Sequence, residues 1–427
     1  MRATGLFWKR LKPYRTRLAI LMAVIGPGII TANVDNDAGG ITTYSVAGAH
    51  YGYSLLWMMP LVLLALVVVQ EISARLGVVT GKGLSDLIRE SLGVRATALL
   101  LGLLVFVNLA NTVSEFAGVA ASMEIFGISK FISVPLAAAG VWVLVLRFNY
   151  KTIERVFLIA STIYLTYVAS GILARPDWNE VWHGFYTPNF QFDLGYITIF
   201  VTIIGTTIAP WMQFYQQSSI ADKGIKVGNY RYEIIDVVIG SLFAVVVASF
   251  IMIACAATIF KEGVTIETAK DAALALGPLA GRYAQTLFAL GLLNASLFSA
   301  AILPLSTAYV VCEAFGWEAS LRREIKEVKV FFGIYTALIV LGAAIILLPV
   351  KSLIQTMLAS QTMNGVLLPV ILIVMLRLVN DRGVMGDYVN GRWFNLLVWV
   401  AVIILIILAL ILVGLSVIPL FAGKGFQ

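Results

Sequence analysis

Runs of predominantly apolar residues recur along the whole chain, centred near residues 26, 64, 107, 140, 164, 205, 246, 298, 339, 365 and 407. Each run is about 17–25 residues long, enough for a helix to cross ~30 Å of hydrocarbon. The pattern predicts an all-α polytopic membrane protein with eleven transmembrane helices. Two of the runs are interrupted. The first starts near Leu18 and meets Asn33-Val34-Asp35-Asn36-Asp37-Ala38-Gly39-Gly40 before the apolar pattern resumes, so a break is expected around Asp37–Gly40. One central Asp costs roughly 2.5–3.5 kcal/mol on membrane-insertion scales. Lipid satisfies no freed backbone group either, so irregular chain at that depth must face protein or a watery cavity. The sixth run breaks at Thr206-Thr207-Ile208-Ala209-Pro210. There Pro210 removes a backbone donor and frees carbonyls near Thr206.

The two interruptions open two halves of five spans each. Five is odd, so the second half is expected to sit inverted relative to the first. Residues 18–175 form the first repeat, 195–378 the second, and 394–420 an additional eleventh helix. Residues 1–17 form an arm, and no Pro/Ser-rich linker divides 18–420, which reads as a single transport domain. Corresponding broken helices in two inverted halves mark the substrate site of many secondary transporters. Taken alone, Pro210 fits a simple kink in a membrane helix. The segment from Arg175 to Phe192 holds six aromatic residues and His183 among polar ones, and is expected to be an interfacial lid or aromatic belt.

Composition narrows the class further. The 427 residues are 60% hydrophobic and only 12% charged, about half the charged share of a soluble domain. The net charge of +7 could suggest nucleic acid, but its distribution follows membrane topology. With the N-terminus inside, 23 of the 30 Lys and Arg residues fall on the inner side, as the positive-inside rule expects. That orientation makes the chain a multi-pass cell-membrane protein with a cytoplasmic N-terminus and an outer C-terminus. No nucleic-acid partner is expected. The first run lacks a small-residue cleavage site, so a retained span fits better than a signal peptide. Cys255 and Cys312 lie inside apolar spans and read as packing residues. With only His50 and His183, both placed in loops, a zinc or di-iron membrane enzyme lacks its ligands. No enzyme activity and no cofactor are expected.

Several stretches then resemble a known family. Gly26-Pro27-Gly28, Asp37-Ala38-Gly39 and Ala47-Gly48-Ala49-His50-Tyr51-Gly52-Tyr53-Ser54-Leu55-Leu56-Trp57 resemble the first span of the NRAMP divalent-metal transporters and the segment after it. Ser73 to Lys82, Gly291 to Ser296 and Val384 to Trp393 are similar to the family's segment after span 2, its span 8 and its loop between spans 10 and 11. The resemblance implies the fold of two inverted five-helix repeats first seen in a bacterial leucine transporter, with helices 1 and 6 broken. It also implies departures. The family's Asp-Pro-Gly-Asn reads Asp37-Ala38-Gly39-Gly40 here, so the Asp ligand is kept and the Asn ligand is lost. Its Met-Pro-His reads Ala209-Pro210-Trp211, without sulfur or imidazole. The Asp on its span-3 proton path is Thr112 here, while Glu115 remains, and its Ser-Gln pair on span 10 reads Ser360-Gln361. This pattern is similar to the NRAMP-related magnesium transporters of bacteria. That similarity implies uptake of Mg²⁺, with Mn²⁺ also accepted and no coupled proton movement.

The chemistry agrees with those substitutions. A thioether favours soft metals, whereas Mg²⁺ takes oxygen. Mg²⁺ also keeps several waters and binds through one or two carboxylates. Met→Ala at 209 and Asn→Gly at 40 both enlarge the pocket, which suits a largely hydrated ion. Asp37 is expected to carry the charge attraction, with the carbonyls of Val34 and Thr206, the side chain of Gln361, Asn33 one turn before Asp37, and the space at Gly40 and Ala209 completing the metal site. Asp35 either adds negative field or is satisfied by a neighbouring helix. Glu115 reads as an interior carboxylate with a hydrogen-bond partner, and Glu71 with Arg75 as a helix-surface pair. The partners are divalent ions and lipid, and a monomer is expected. The alternatives are a proton-coupled Mn²⁺/Fe²⁺ transporter of the main NRAMP type and a sodium-coupled amino-acid carrier. In the latter, the acidic pair Asp35/Asp37 would repel a substrate carboxylate.

Overall fold

The computed structural model describes residues 34–147, 159, 161–321 and 323–421. Among the described residues thirteen helical segments frame it: α1 (Ala38–Tyr51), α2 (Met58–Thr80), α3 (Leu84–Glu124, kinked at Gly93, where the backbone leaves helical geometry), α4 (Lys130–Arg147), α5 (Leu165–Leu173), α6 (Trp178–Tyr186), α7 (Leu194–Thr207), α8 (Pro210–Lys223), α9 (Tyr230–Cys255), α10 (Ala284–Phe315), α11 (Lys329–Leu347), α12 (Leu353–Asn380) and α13 (Arg392–Phe421). Among the described residues nine segments are long and apolar enough to cross a bilayer, α7 and α8 together forming one of them. Predicted spans 1 and 5 are seen as α1 and as the shorter helix over Thr162–Leu173. The arm 1–17 and the approach to the first break, Asn33 included, lie outside the described residues.

Helix α1 is the axis of the bundle. Every residue from Ala38 to Ala49 is buried, and α1 packs against α3, α7, α9, α10 and α12. Small residues make these crossings close, since lipid supplies no hydrophobic drive between helices. A Cβ on Gly48 would fall 2.4 Å from the Met252 carbonyl, and one on Gly118 would fall 2.4 Å from the Ala38 Cβ. Gly205 and Gly365 bring α7 and α12 together in the same way, against the Gln361 and Val201 carbonyls. Helix α13, by contrast, is largely exposed along its apolar length and lies at the edge, against α7 and α12.

Several elements differ from the sequence reading. The first break lies at Asp35–Asp37, and Gly39 and Gly40 already belong to α1. The reason is local. Asp37 has extended backbone and its side chain accepts from the Gly40 N–H, so it serves as an N-cap and restarts the helix at Ala38. The 175–192 segment contains helix α6, capped by Asp177, and it carries His183; His50 likewise sits in the last turn of α1 and not in a loop. Helix α9 runs on through a π turn at Ala256–Phe260.

Glu71 and Arg75 do form an i,i+4 ion pair, at 3.0 Å, but they are not on the surface: their side chains are only 17% and 11% exposed. Arg75 also donates to the Tyr388 carbonyl at 2.9 Å and to Asn390, and Tyr230 donates to Glu71. The pair therefore ties the 386–391 turn and the start of α9 to α2. Arg75→Ala strands the Glu71 carboxylate and should cost about 2–3 kcal/mol, somewhat less than breaking a fully buried pair. A melting temperature lowered by several degrees in detergent would report it.

Candidate metal site

The two breaks stand side by side. Tyr44 on α1 shares a hydrogen bond with Thr207 at the end of α7, at 2.8 Å. A Cβ on Gly40 would lie 3.2 Å from the Thr206 hydroxyl and 2.5 Å from the Asp35 carbonyl. Helix α7 stops because Ile208 and Ala209 leave helical geometry and Pro210 begins α8 at its first position. A proline has no N–H to give to the Thr206 carbonyl one turn earlier.

Asp37 is the centre of the arrangement and is buried. Its Oδ1 accepts from the Gly40 N–H at 2.6 Å, and Gln361 Nε2 donates toward both carboxylate oxygens at 3.3–3.4 Å. Glu115, on α3, accepts from the Ala38 N–H at 3.3 Å. Two carboxylates thus sit at the positive end of α1, where the helix dipole favours negative charge. The bond to Glu115 has a second effect. It takes the N–H that a continuous helix would give to the Val34 carbonyl, four residues earlier.

Oxygen acceptors are in surplus here. Both carboxylate oxygens of Asp35, the Asn36 Oδ1 and the Thr206 Oγ1 are buried with no hydrogen-bond partner. Such orphans cost free energy unless something positive meets them. Asp35, left open by the sequence, is therefore not satisfied by a neighbouring helix. Among the described residues no three His, Cys, Asp or Glu side chains form a ready ligand cluster. What the breaks offer is a mixed set of carboxylate, hydroxyl, amide and backbone oxygens.

Of the predicted site residues, Asp37, Gly40, Thr206 and Gln361 meet through the contacts above, and Val34, Thr206 and Ala209 are all buried. Ala209 presents a methyl group, and its carbonyl is engaged by the Met212 N–H at 3.0 Å. Gln361 faces Asp37 with its amide nitrogen, since its oxygen accepts from Asn364 at 2.8 Å. Ser360 turns its hydroxyl onto its own helix, at Met357, and Thr112 does the same at Asn108. The sequence reading missed Asn111 and Asn364, which hydrogen-bond each other across α3 and α12. Their signal was available: Asn108, Asn111, Thr112 and Glu115 follow helical spacing along one face of α3.

Two cavities open at opposite ends of the bundle. One of about 980 Å³ opens where α1 ends, lined by Val46, His50, Glu124, Lys130, Glu267 and Leu358 among others. Another of about 380 Å³ lies at the opposite face between Gly81–Gly83, α8 and the end of α10. Asp37 lines neither of them.

Comparison with known proteins places this geometry. The family model described as natural resistance-associated macrophage protein-like matches residues 28–415. The chain is 26% identical over 407 residues to the divalent metal cation transporter MntH of Bacillus subtilis, covering 92% of each chain. It is 29% identical over 405 residues to MntH 1 of Pseudomonas aeruginosa, covering 89% of this chain and 88% of that one. A crystal structure of a histidine-to-alanine mutant of the Eremococcus coleocola manganese transporter superposes with a TM-score of 0.75 at 22% identity, over 95% of this chain and 89% of the other. The nucleobase-cation-symport transporter Mhp1 shares the fold at a TM-score of 0.57 and 17% identity, over 94% and 92%.

Proposed function

Because the chain belongs to the natural resistance-associated macrophage protein-like (Nramp) family, we propose that it is a divalent-metal transporter that carries Mg²⁺, accepts Mn²⁺, and moves the ion without coupled protons. The observation that carries this reading is the surplus of buried, donorless oxygens around Asp37, on Asp35, Asn36 and Thr206. A cation is the partner such a set lacks. Oxygen donors favour hard ions, and Mg²⁺ in particular keeps waters that a sparse ligand set leaves in place. Ala209 supplies a methyl group where sulfur would select softer metals. The ion binds at Asp37, with Gln361, Thr206, the Val34 carbonyl and Asn33 completing the site and Ala209 leaving room for its water shell. Gly40, expected to enlarge the pocket, instead lets α1 pass against the Asp35 carbonyl, where a Cβ would lie at 2.5 Å.

Thr112 supports the uncoupled reading, because it carries no carboxyl group and its hydroxyl is spent on Asn108. Glu115 is held at the N-terminus of α1 and acts as a cap. An inside-negative potential supplies about 4.6 kcal/mol per 100 mV for a divalent ion (two charges at ~2.3 each), which drives entry without protons. We place the large cavity beside α1 on the outer side, consistent with the distribution of Lys and Arg. The chain acts as a monomer in this proposal and holds no resident cofactor. A second reading is a proton-coupled manganese transporter; the name of the Eremococcus coleocola structure favours manganese as the ion.

Purified protein in liposomes, loaded with a Mg²⁺ dye and a pH dye, separates the two. Mg²⁺ entry without acidification is expected; acidification in step with metal would establish the second reading. Glu115→Gln keeps an oxygen for the Ala38 N–H and is expected to retain flux within about an order of magnitude. A loss beyond 100-fold would return Glu115 to the transport chemistry.

A further inference from the structure

Three buried amides form a chain leading away from Asp37. Gln361 Nε2 faces the Asp37 carboxylate at 3.3–3.4 Å, and Gln361 Oε1 accepts from Asn364 Nδ2 at 2.8 Å. Asn364 Nδ2 also donates to Asn111 Oδ1 at 3.1 Å, and Asn111 Nδ2 returns a bond to Asn364 Oδ1 at 2.9 Å. All three residues are buried. The Gln361 amide rests directly on α1, where a Cβ on Gly39 would lie 2.0 Å from its nitrogen.

This orientation suits a bare carboxylate and opposes a bound cation, which needs the amide oxygen. Turning Gln361 alone would set its nitrogen against the nitrogen of Asn364, two donors facing each other without water. That arrangement leaves a buried donor unsatisfied and is costly. Turning all three amides exchanges every donor with an acceptor, because each amide carries both at its tip. The Gln361–Asn364 bond and both Asn364–Asn111 bonds then re-form in the reverse sense.

We propose that Asn364 and Asn111 are positioning residues that give the Gln361 amide two complementary orientations, nitrogen toward Asp37 when the site is empty and oxygen toward the ion when it is filled. The inference rests on Asp37 being the ion site. It makes occupancy felt on α3 as well as α12, because the amides turn together. Asn111 lies one helical turn before Glu115 on α3, so the rotation ends beside the residue that caps α1.

The test is a double-mutant cycle read by calorimetric Mn²⁺ binding to the full chain in detergent. Asn364→Leu, near in size and without hydrogen bonds, is expected to weaken Mn²⁺ binding about fivefold to tenfold in the natural background. In the Gln361→Leu background it should change binding less than about twofold, because coupled residues are not additive. Asn364→Asp accepts only, so it holds the Gln361 nitrogen and turns its oxygen to the ion. Tighter Mn²⁺ binding is expected, by a larger factor with Gln361 present than in the Gln361→Leu background, where only the added charge acts. Should Asn364→Leu misfold, Asn111→Leu removes the far end of the relay and is expected to show the same dependence on Gln361. Equal effects in both backgrounds would overturn the relay while leaving Asp37 as the site. Mn²⁺ binding that survives Asp37→Ala would overturn the site, and the relay with it.

Discussion

Asp37→Asn is expected to reduce Mg²⁺ flux into liposomes by about 100-fold or more, while the protein remains folded. The two halves of that statement come from separate roles of one side chain. As an N-cap, Asp37 holds the Gly40 N–H at 2.6 Å, and Asn caps helices about as well as Asp. The break and α1 should therefore survive, and the melting temperature should change little. As an ion ligand, Asp37 supplies a full charge in a site buried from water, and removing one partner of a buried charge pair costs several kcal/mol. Flux from a dye assay and melting in the same detergent measure the two roles independently. Near-normal flux would mean that Asp35 or Glu115 carries the attraction in its place. A collapse of melting temperature would mean that the carboxylate is structural.

The spans were legible because membrane helices are specified by a length of apolar sequence, and α2, α4, α9, α11 and α12 each present one. The breaks were legible as costs: polar residues at Asn33–Gly40 are expensive in lipid, and a proline at 210 frees carbonyls that need a partner there. Their exact register was not. Whether the helix resumes before or after the glycines depends on Asp37 turning its side chain back to the Gly40 N–H. The Asp-x-x-Gly spacing permits that geometry without requiring it. The Glu71–Arg75 pair shows a related limit. Spacing of four residues gave the contact, while its burial comes from the 386–391 turn and α9, distant in sequence.

The site divides along the same line. Asp37, Thr206 and Gln361 could be found because each interrupts or flanks an apolar pattern or matches a familiar motif. The orientation of Gln361 could not, because it is set by Asn364 and through it by Asn111, which lies 253 residues away from Asn364. The role of Glu115 as the partner of the Ala38 N–H is equally a product of packing between α3 and α1. The sequence offers Gly40 as space in the metal pocket and Gly39 only as part of a motif. In the folded chain both are helical and buried, and what they supply is the absence of a side chain at two different contacts.

That difference sets the last expectation. Gly40→Ala should abolish transport, and Gly39→Ala should only weaken it. At position 40 the new Cβ would fall 2.5 Å from the Asp35 carbonyl oxygen, with the Thr206 hydroxyl at 3.2 Å and Asp37 Oδ1 at 3.3 Å. The nearest of these is backbone inside the break and cannot rotate away. Relief requires moving the Asp35–Asp37 segment, and with it the N-cap, the donorless Asp35 carboxylate and the approach of α7. Overpacking of a well-filled interior commonly costs about 1–3 kcal/mol, and here the displaced groups are the site itself. At position 39 the new Cβ would meet the end of the Gln361 side chain, 2.0 Å from its nitrogen. A glutamine tip can swing aside by turning its own torsions, so Asp37 keeps its place and loses one neighbour. The expected outcome is flux below about 1% of normal for Gly40→Ala and about 10% for Gly39→Ala, with Mn²⁺ affinity following the same order. Equal and mild losses would mean that the break has more room than the packing at Gly40 implies, and that the loss of a ligand side chain there has no steric reason.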